Sequence, residues 1–235
     1  MTKKIEAISV GGRTIHCDYW KPPTAVDLKK AVIVAYGSMG MEAEFGDMIQ
    51  RLCEAVSQAG YFVALPWYFE STDTKPGIQV ALTASNAVFD KWVACMSDTF
   101  RWVGTQTSPT KVALIGFSLG GNLVLKSALK FPVDAVVDFF GPVSLLQDLG
   151  SHRLSETRVA GLPRTQIHHG KLDGIVPIAE SKQLKEWLEH QSVAHEVFFD
   201  YDCGHPGDLI APKWSAAAET SSLQRTLDFL KAALQ

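Results

Sequence analysis

Lys111-Val112-Ala113-Leu114-Ile115 runs directly into Gly116-Phe117-Ser118-Leu119-Gly120-Gly121, an apolar, β-branched segment followed by a serine between glycines. The run predicts a strand, and Leu119, Leu123, Val124, Ser127 and Ala128 fall at helical spacing over Leu119 to Phe131. A serine where a strand stops and a helix begins is the nucleophile-elbow pattern. Such a turn forces unusual backbone angles on Ser118, and small residues at Gly116 and Gly120 let strand and helix approach closely. The hydroxyl then stands above the sheet edge. The N–H of Leu119, opening the helix, is a free donor aimed at any oxyanion that forms on an attacked carbonyl. The competing reading is a glycine-rich bend with an idle serine, and partner residues decide between the two.

Outward from this stretch, short β-rich runs alternate with helical ones, without repeats or low-complexity tracts. Ile5 to Val10 and Thr14 to Trp20 flank Gly11-Gly12 and predict an antiparallel hairpin. Further strands are expected at Ala31 to Tyr36, Phe62 to Pro66, Val112 to Gly116, Val133 to Phe139, Gln166 to His169 and Glu196 to Asp200. Between the first two of these, Phe45, Met48, Ile49, Leu52, Cys53 and Val56 share one helical face, with Gly60 just past the end. Thr83 to Val103, Ile178 to His190 and Leu223 to Leu234 complete the expected helices. The architecture is an α/β fold: an eight-stranded, mostly parallel sheet with helices on both faces, in one domain spanning 1–235 without a large cap. Its ligand site belongs at the carboxyl ends of the strands.

Composition narrows the function. At 235 residues, 46% hydrophobic and 20% charged, the chain can bury one sizeable core. A formal charge of −3 and the lack of any Lys/Arg run leave no electrostatic footprint for nucleic acid. No stretch of apolar residues is long enough for a membrane span, and the basic start Met1-Thr2-Lys3-Lys4 is followed by Glu6 and Gly11-Gly12 rather than an apolar signal core, so a cytoplasmic protein is expected. Cys17, Cys53, Cys95 and Cys203 lie far apart without a metal-type spacing or a disulfide framework. No cofactor or metal is called for.

A serine hydroxyl needs a base to take its proton and an acid to orient that base, in the chain order Ser, Asp or Glu, His. His205 fits the base: it follows the last expected strand in the loop Tyr201-Asp202-Cys203-Gly204-His205-Pro206-Gly207. Asp173 fits the acid, in His169-Gly170-Lys171-Leu172-Asp173-Gly174-Ile175-Val176-Pro177, after the preceding strand and before a helix. Asp173 also fits a plain turn or cap, and Asp138 is the next acid candidate. A metal cluster of His168, His169, Asp173 and His205 is hard to assemble because adjacent strand residues point to opposite faces. Trp67 and Tyr68, at the end of the second parallel strand, are candidates to border a substrate pocket or to be core, and 141–163 is a candidate flap.

The elbow, the segment His168 to Pro177, Cys203-Gly204-His205 and Arg225-Thr226-Leu227-Asp228-Phe229-Leu230 together resemble the dienelactone hydrolases of the α/β-hydrolase superfamily, from about Ile5 to the C-terminus. The resemblance implies a compact, lidless hydrolase with Ser118, Asp173 and His205 as triad. It also implies oxyanion N–H donors from Leu119 and, in the loop Tyr36-Gly37-Ser38-Met39-Gly40, from Ser38. Typical members carry a cysteine nucleophile, a glutamate near the place of Gly37 and a substrate-holding arginine shortly after the histidine. This chain has Ser118, and Leu209 near the arginine's place. The expected activity is hydrolysis of a small carboxylic ester or lactone through an acyl-enzyme, with neutral substrates preferred. A peptidase or acyltransferase on the same triad, or a binding module that kept the fold, are the alternatives.

Overall fold

The computed structural model describes residues 3–23, 29–145, 153–207 and 213–235. The chain opens with the hairpin β1 (Lys4–Val10) and β2 (Arg13–Trp20), which pair antiparallel as the Gly11-Gly12 turn requires. Then follow β3 (Lys30–Ala35), α1 (Ala43–Gln58), β4 (Phe62–Pro66), a 3-10 turn (Tyr68–Thr72), α2 (Val80–Thr83), α3 (Asn86–Thr107) and β5 (Lys111–Phe117). The second half adds α4 (Leu119–Ala128), β6 (Ala135–Phe139), α5 (Glu156–Val159), β7 (Arg164–Gly170), α6 (Ile178–His190), β8 (His195–Tyr201) and α7 (Ala216–Ala233). The eight strands are ordered β1-β2-β4-β3-β5-β6-β7-β8, and from β4 to β8 all neighbours are parallel. This is the α/β-hydrolase sheet.

Side-chain alternation along the strands shows the two helical layers. On β5, the Phe117 ring meets Phe45 of α1, whereas a Cβ at the preceding Gly116 would meet Val124 of α4. On β7, His168 meets Thr226 of α7 while His169 meets Ser181 of α6. Helices α1 and α7 therefore cover one face, and α4 and α6 the other. The central strands β3, β4, β5 and β6 are buried almost throughout, as expected for strands covered on both faces. No helix among the described residues is long and apolar enough to cross a membrane.

Three helix boundaries differ from the periodicity. The expected helix Thr83 to Val103 is two: α2 stops at Thr83, and Ser85 starts α3 afresh by accepting the Val88 N–H on its hydroxyl, 3.4 Å away. Helix α7 begins seven residues before Leu223, because Ser215 caps the apolar but non-periodic run Ala216-Ala217-Ala218 by accepting the Ala218 N–H at 3.1 Å. Helix α4 ends at Ala128 rather than Phe131, in a turn closed by the Lys130 and Phe131 N–H groups on the Ser127 carbonyl.

Candidate active site

Ser118 joins β5 to α4 with φ 54° and ψ −121°, a backbone conformation that an L-residue adopts only under constraint. The constraint is visible around it. Its N–H donates to the Phe139 carbonyl at 2.9 Å, and its own carbonyl accepts the Gly121 N–H at 2.8 Å. A Cβ at Gly116 would lie 2.2 Å from the Gly120 carbonyl oxygen, and one at Gly120 would lie 2.3 Å from those of Ala35 and Tyr36. Both glycines are therefore required by space, not by their φ.

His205 sits in the loop after β8. Its Nε2 is 3.0 Å from Ser118 Oγ and its Nδ1 is 2.8 Å from Asp173 Oδ2. Asp173, in the loop after β7, uses its other oxygen to accept the Ile175 and Val176 N–H groups at 2.9 and 2.7 Å. Burial works to raise the Asp173 pKa, but hydrogen bonds from His169, His205 and the Val176 N–H outweigh it and hold the carboxyl below its ordinary range. The acid is thus ionised and fixed, which favours the tautomer of His205 with Nε2 free to accept a proton. The other acid candidate, Asp138, turns Oδ1 to the Gly141 N–H at 3.0 Å and leaves Oδ2 without a partner. Burial raises its pKa to about 7.

The donor side is also assembled. Leu119 is the first residue of α4, so its N–H has no carbonyl within the helix to serve. The loop after β3 presses against the serine: a Cβ at Gly37 would stand 3.1 Å from Ser118 Cβ, and Ser38 lines the same space as Ser118. Cys203, two residues before His205, is buried, and burial raises its thiol pKa.

Trp67 and Tyr68 lie elsewhere. Tyr68 is fully buried, stacks on Tyr36 with centroids 4.3 Å apart and donates its hydroxyl to the Tyr36 carbonyl. Trp67 is tied through its N–H to the His16 carbonyl on β2, at 2.8 Å. That bond continues the β2–β4 ladder past Pro66, and neither residue is among those that border the space at Ser118. That space is a cavity of about 400 Å³ walled by Ile78, Leu82, Pro142, Leu145, Val176 and Pro177. Pro142 and Leu145 come from the expected flap, of which 146–152 lie outside the described residues, as does Leu209. Arg158, Arg164 and Lys75 are not in the cavity wall. Arg164 pairs with Glu196 and covers Phe229, Arg158 donates to the Arg153 carbonyl, and Lys75 is exposed.

Two residues that support the His205 and Asp173 side chains are not evident from the sequence pattern. The Phe140 ring meets His205 edge-on with centroids 4.6 Å apart, and its φ of 44° is rare for a bulky residue. His169 is wholly buried, with Nδ1 2.6 Å from Ser181 Oγ and Nε2 2.9 Å from the Val176 carbonyl. Its place four residues before Asp173 was the available signal, since the turn after β7 folds that acid back over it.

Comparison with known proteins bears on the fold and the family. A dienelactone hydrolase of Anabaena variabilis superimposes with a TM-score of 0.74 at 18% identity, covering 100% of this chain and 99% of that one. A thermostable esterase of Pseudomonas putida superimposes with a TM-score of 0.75 at 15% identity, over 100% of this chain and 83% of that one. At these identities the likeness shows the fold. In sequence, a candidate carboxymethylenebutenolidase of Synechocystis sp. is 25% identical over 188 residues, 77% of this chain and 76% of its own. Residues 18–234 match the model of the dienelactone hydrolase family, and the chain belongs to that family of hydrolases.

Proposed function

We propose that the protein is a serine esterase, a single domain without a large cap, that cleaves a small neutral carboxylic ester through an acyl-enzyme formed on Ser118. The observation that carries this reading is the line of contacts from Ser118 Oγ to His205 Nε2 at 3.0 Å and from His205 Nδ1 to Asp173 Oδ2 at 2.8 Å. Ser118 attacks the carbonyl carbon while His205 takes its proton. The carbonyl oxygen becomes an oxyanion facing the N–H groups of Leu119 and Ser38. His205 returns the proton to the departing alcohol, and water then repeats the sequence to release the acid and restore Ser118. Asp173 holds the imidazole and stabilises its protonated form.

The test is labelling by a fluorophosphonate probe together with ester turnover. Wild type is expected to label at Ser118, and Ser118→Ala to fold normally, lose labelling and fall in turnover by on the order of 10⁴-fold. An alanine variant keeping more than about a tenth of the activity would overturn the assignment.

A further inference from the structure

Two spaces meet at Ser118, one walled mainly by aliphatic side chains and the other leading to a trough that also carries charged ones. The first is the cavity of about 400 Å³, which includes Ser38, Ser118 and Leu119 but not His205. Its wall is mainly aliphatic, and its volume suits the buried part of a small-molecule ligand. The second is a passage of about 80 Å³ bordered by Ser118, His205, Pro206 and Gly207. Through Met39, Phe45, Pro206 and Gly207, which border both, the passage continues into a trough of about 560 Å³. Glu42, Asp47, Arg51, Lys213 and Glu219 line that trough together with Met48 and Trp214.

The chemistry assigns one half of the substrate to each space. When the tetrahedral intermediate collapses, the bond from carbon to the alcohol oxygen breaks, and that oxygen takes the proton held on His205 Nε2. The alcohol must therefore lie on the His205 side, at the mouth of the narrow passage. The acyl group stays bonded to Ser118 Oγ, its oxygen toward the Leu119 and Ser38 N–H groups, and the space left for it is the aliphatic cavity. We infer that the substrate is an ester of an apolar, uncharged acyl group with a slender, polar alcohol, bound with the acyl chain against Leu82 and Leu145 and the alcohol directed through the passage toward Arg51 and Glu219. This rests on the serine-esterase reading above.

The rim agrees with that orientation. Leu82 at 59% exposure is a large aliphatic side chain left open to solvent that borders the acyl cavity alone, while the exposed Ile78 and Ile175 stand between the cavity and the passage. An apolar rim of this kind is covered when an alkyl chain enters. The passage, by contrast, has room for little more than a few water molecules, which suits an unbranched alcohol next to the ester oxygen. In the trough Arg51 forms a two-pronged pair with Glu219, Nε to Oε1 at 2.6 Å and Nη2 to Oε2 at 2.9 Å. Its wall therefore offers polar groups of both signs to hydroxyls.

The orientation is tested with esters that exchange the two halves: glyceryl monohexanoate, whose acyl chain is apolar and alcohol polar, against hexyl glycolate, whose acyl part is polar and alcohol apolar. We expect kcat/KM to favour the glyceryl ester by about 10-fold or more, and to rise from glyceryl acetate to butanoate to hexanoate by up to about 4-fold per methylene. Leu82→Asp, a change at an exposed wall position, should flatten that rise. Equal or reversed preference for the exchanged pair, or no dependence on acyl length, overturns the inference. Fluorophosphonate labelling run in parallel separates the causes. Labelling at Ser118 without the preference removes only the orientation, whereas absence of labelling removes the esterase reading and this inference with it.

Discussion

His169 Nε2 lies 3.4 Å from Asp173 Oδ2, the same carboxylate oxygen that receives His205 Nδ1. Because Nε2 also faces the Val176 carbonyl at 2.9 Å, it faces two acceptors and must carry the hydrogen, leaving Nδ1 to accept from the Ser181 hydroxyl. A buried histidine thus sits behind the acid and fixes it in two directions, by its own hydrogen and by the Val176 peptide. His169→Phe keeps a ring of similar size and removes the donor. We expect kcat to fall by roughly 10-fold with little change in KM, since one hydrogen bond to a charged group is worth about 1.5–3 kcal/mol. Steady-state kinetics on a short-chain ester checks it. An unchanged kcat would confine His169 to a structural role.

Asp173 and Asp138 should leave opposite marks on stability against pH. Asp173 is held below its ordinary value of 3.8, so its contribution is present above that pH and is lost as the pH falls beneath it. Asp138 is raised from 3.8 to about 7, so its contribution is full below about 3.8 and is lost as the pH rises through about 7. The size is on the order of a few kcal/mol for Asp138. Thermal melts of Asp138→Asn between pH 5 and 8 should fall less steeply with pH than those of wild type, while ester turnover stays within a few-fold. Asp173→Asn should instead cut turnover by roughly 10² to 10⁴-fold with little change in KM. The reverse kinetic pattern would move the acid to β6.

What the sequence made legible follows from where local signals are strong. The elbow, the loop acid and the loop histidine lie at the ends of apolar strands whose identity is plain from composition, so chain order singles out Ser118 and His205 as candidates and leaves Asp173 and Asp138 both open as the acid, until the contact of Asp173 with His205 separates them. The cavity wall is different. Ile78 and Leu82 precede α3, Pro142 and Leu145 follow β6, and Val176 and Pro177 precede α6, so only the closed sheet brings them together. Trp67 and Tyr68, which the sequence left open between pocket and core, show the converse. Aromatic side chains at a strand end signal burial, but only the packed fold decides what they bury against, here Tyr36 and Trp92 for Tyr68.

The elbow glycines should be intolerant of any side chain. At Gly120 an added methyl would stand 2.3 Å from two carbonyl oxygens of the β3 end, and backbone there has no room to yield without moving the oxyanion loop. Gly120→Ala should lower stability by about 1–3 kcal/mol or more and reduce turnover in whatever fraction folds. Gly12→Ala, in the first hairpin, meets nothing within 4 Å but strains a φ of 81°, and should cost stability without changing kcat. Urea melts and kcat for the two variants separate crowding at the site from backbone strain remote from it. A Gly120→Ala enzyme with wild-type kcat and stability would refute the close approach of α4 to β3.

Substrate charge gives the last test, and Glu180 is its centre. This glutamate of α6 reaches the wall of the acyl cavity, where its carboxylate accepts the Val143 N–H at 2.9 Å, the Ser144 N–H at 2.8 Å and the Ser144 hydroxyl at 2.8 Å. Those bonds pin the chain after β6 against α6, and they also keep a negative charge beside the acyl site. An acyl group bearing its own carboxylate would lose hydration there, gain no cationic partner from the described wall, and meet a like charge. A neutral acyl group loses little. The enzyme should therefore favour the monomethyl, monoaryl diester of a short dicarboxylic acid over the corresponding free acid by about 10-fold or more in kcat/KM. Glu180→Gln should narrow that gap several-fold, because it removes the charge and keeps one oxygen to accept from Ser144. Equal or better turnover of the free acid by wild type would sink the argument and place a cation in the acyl cavity.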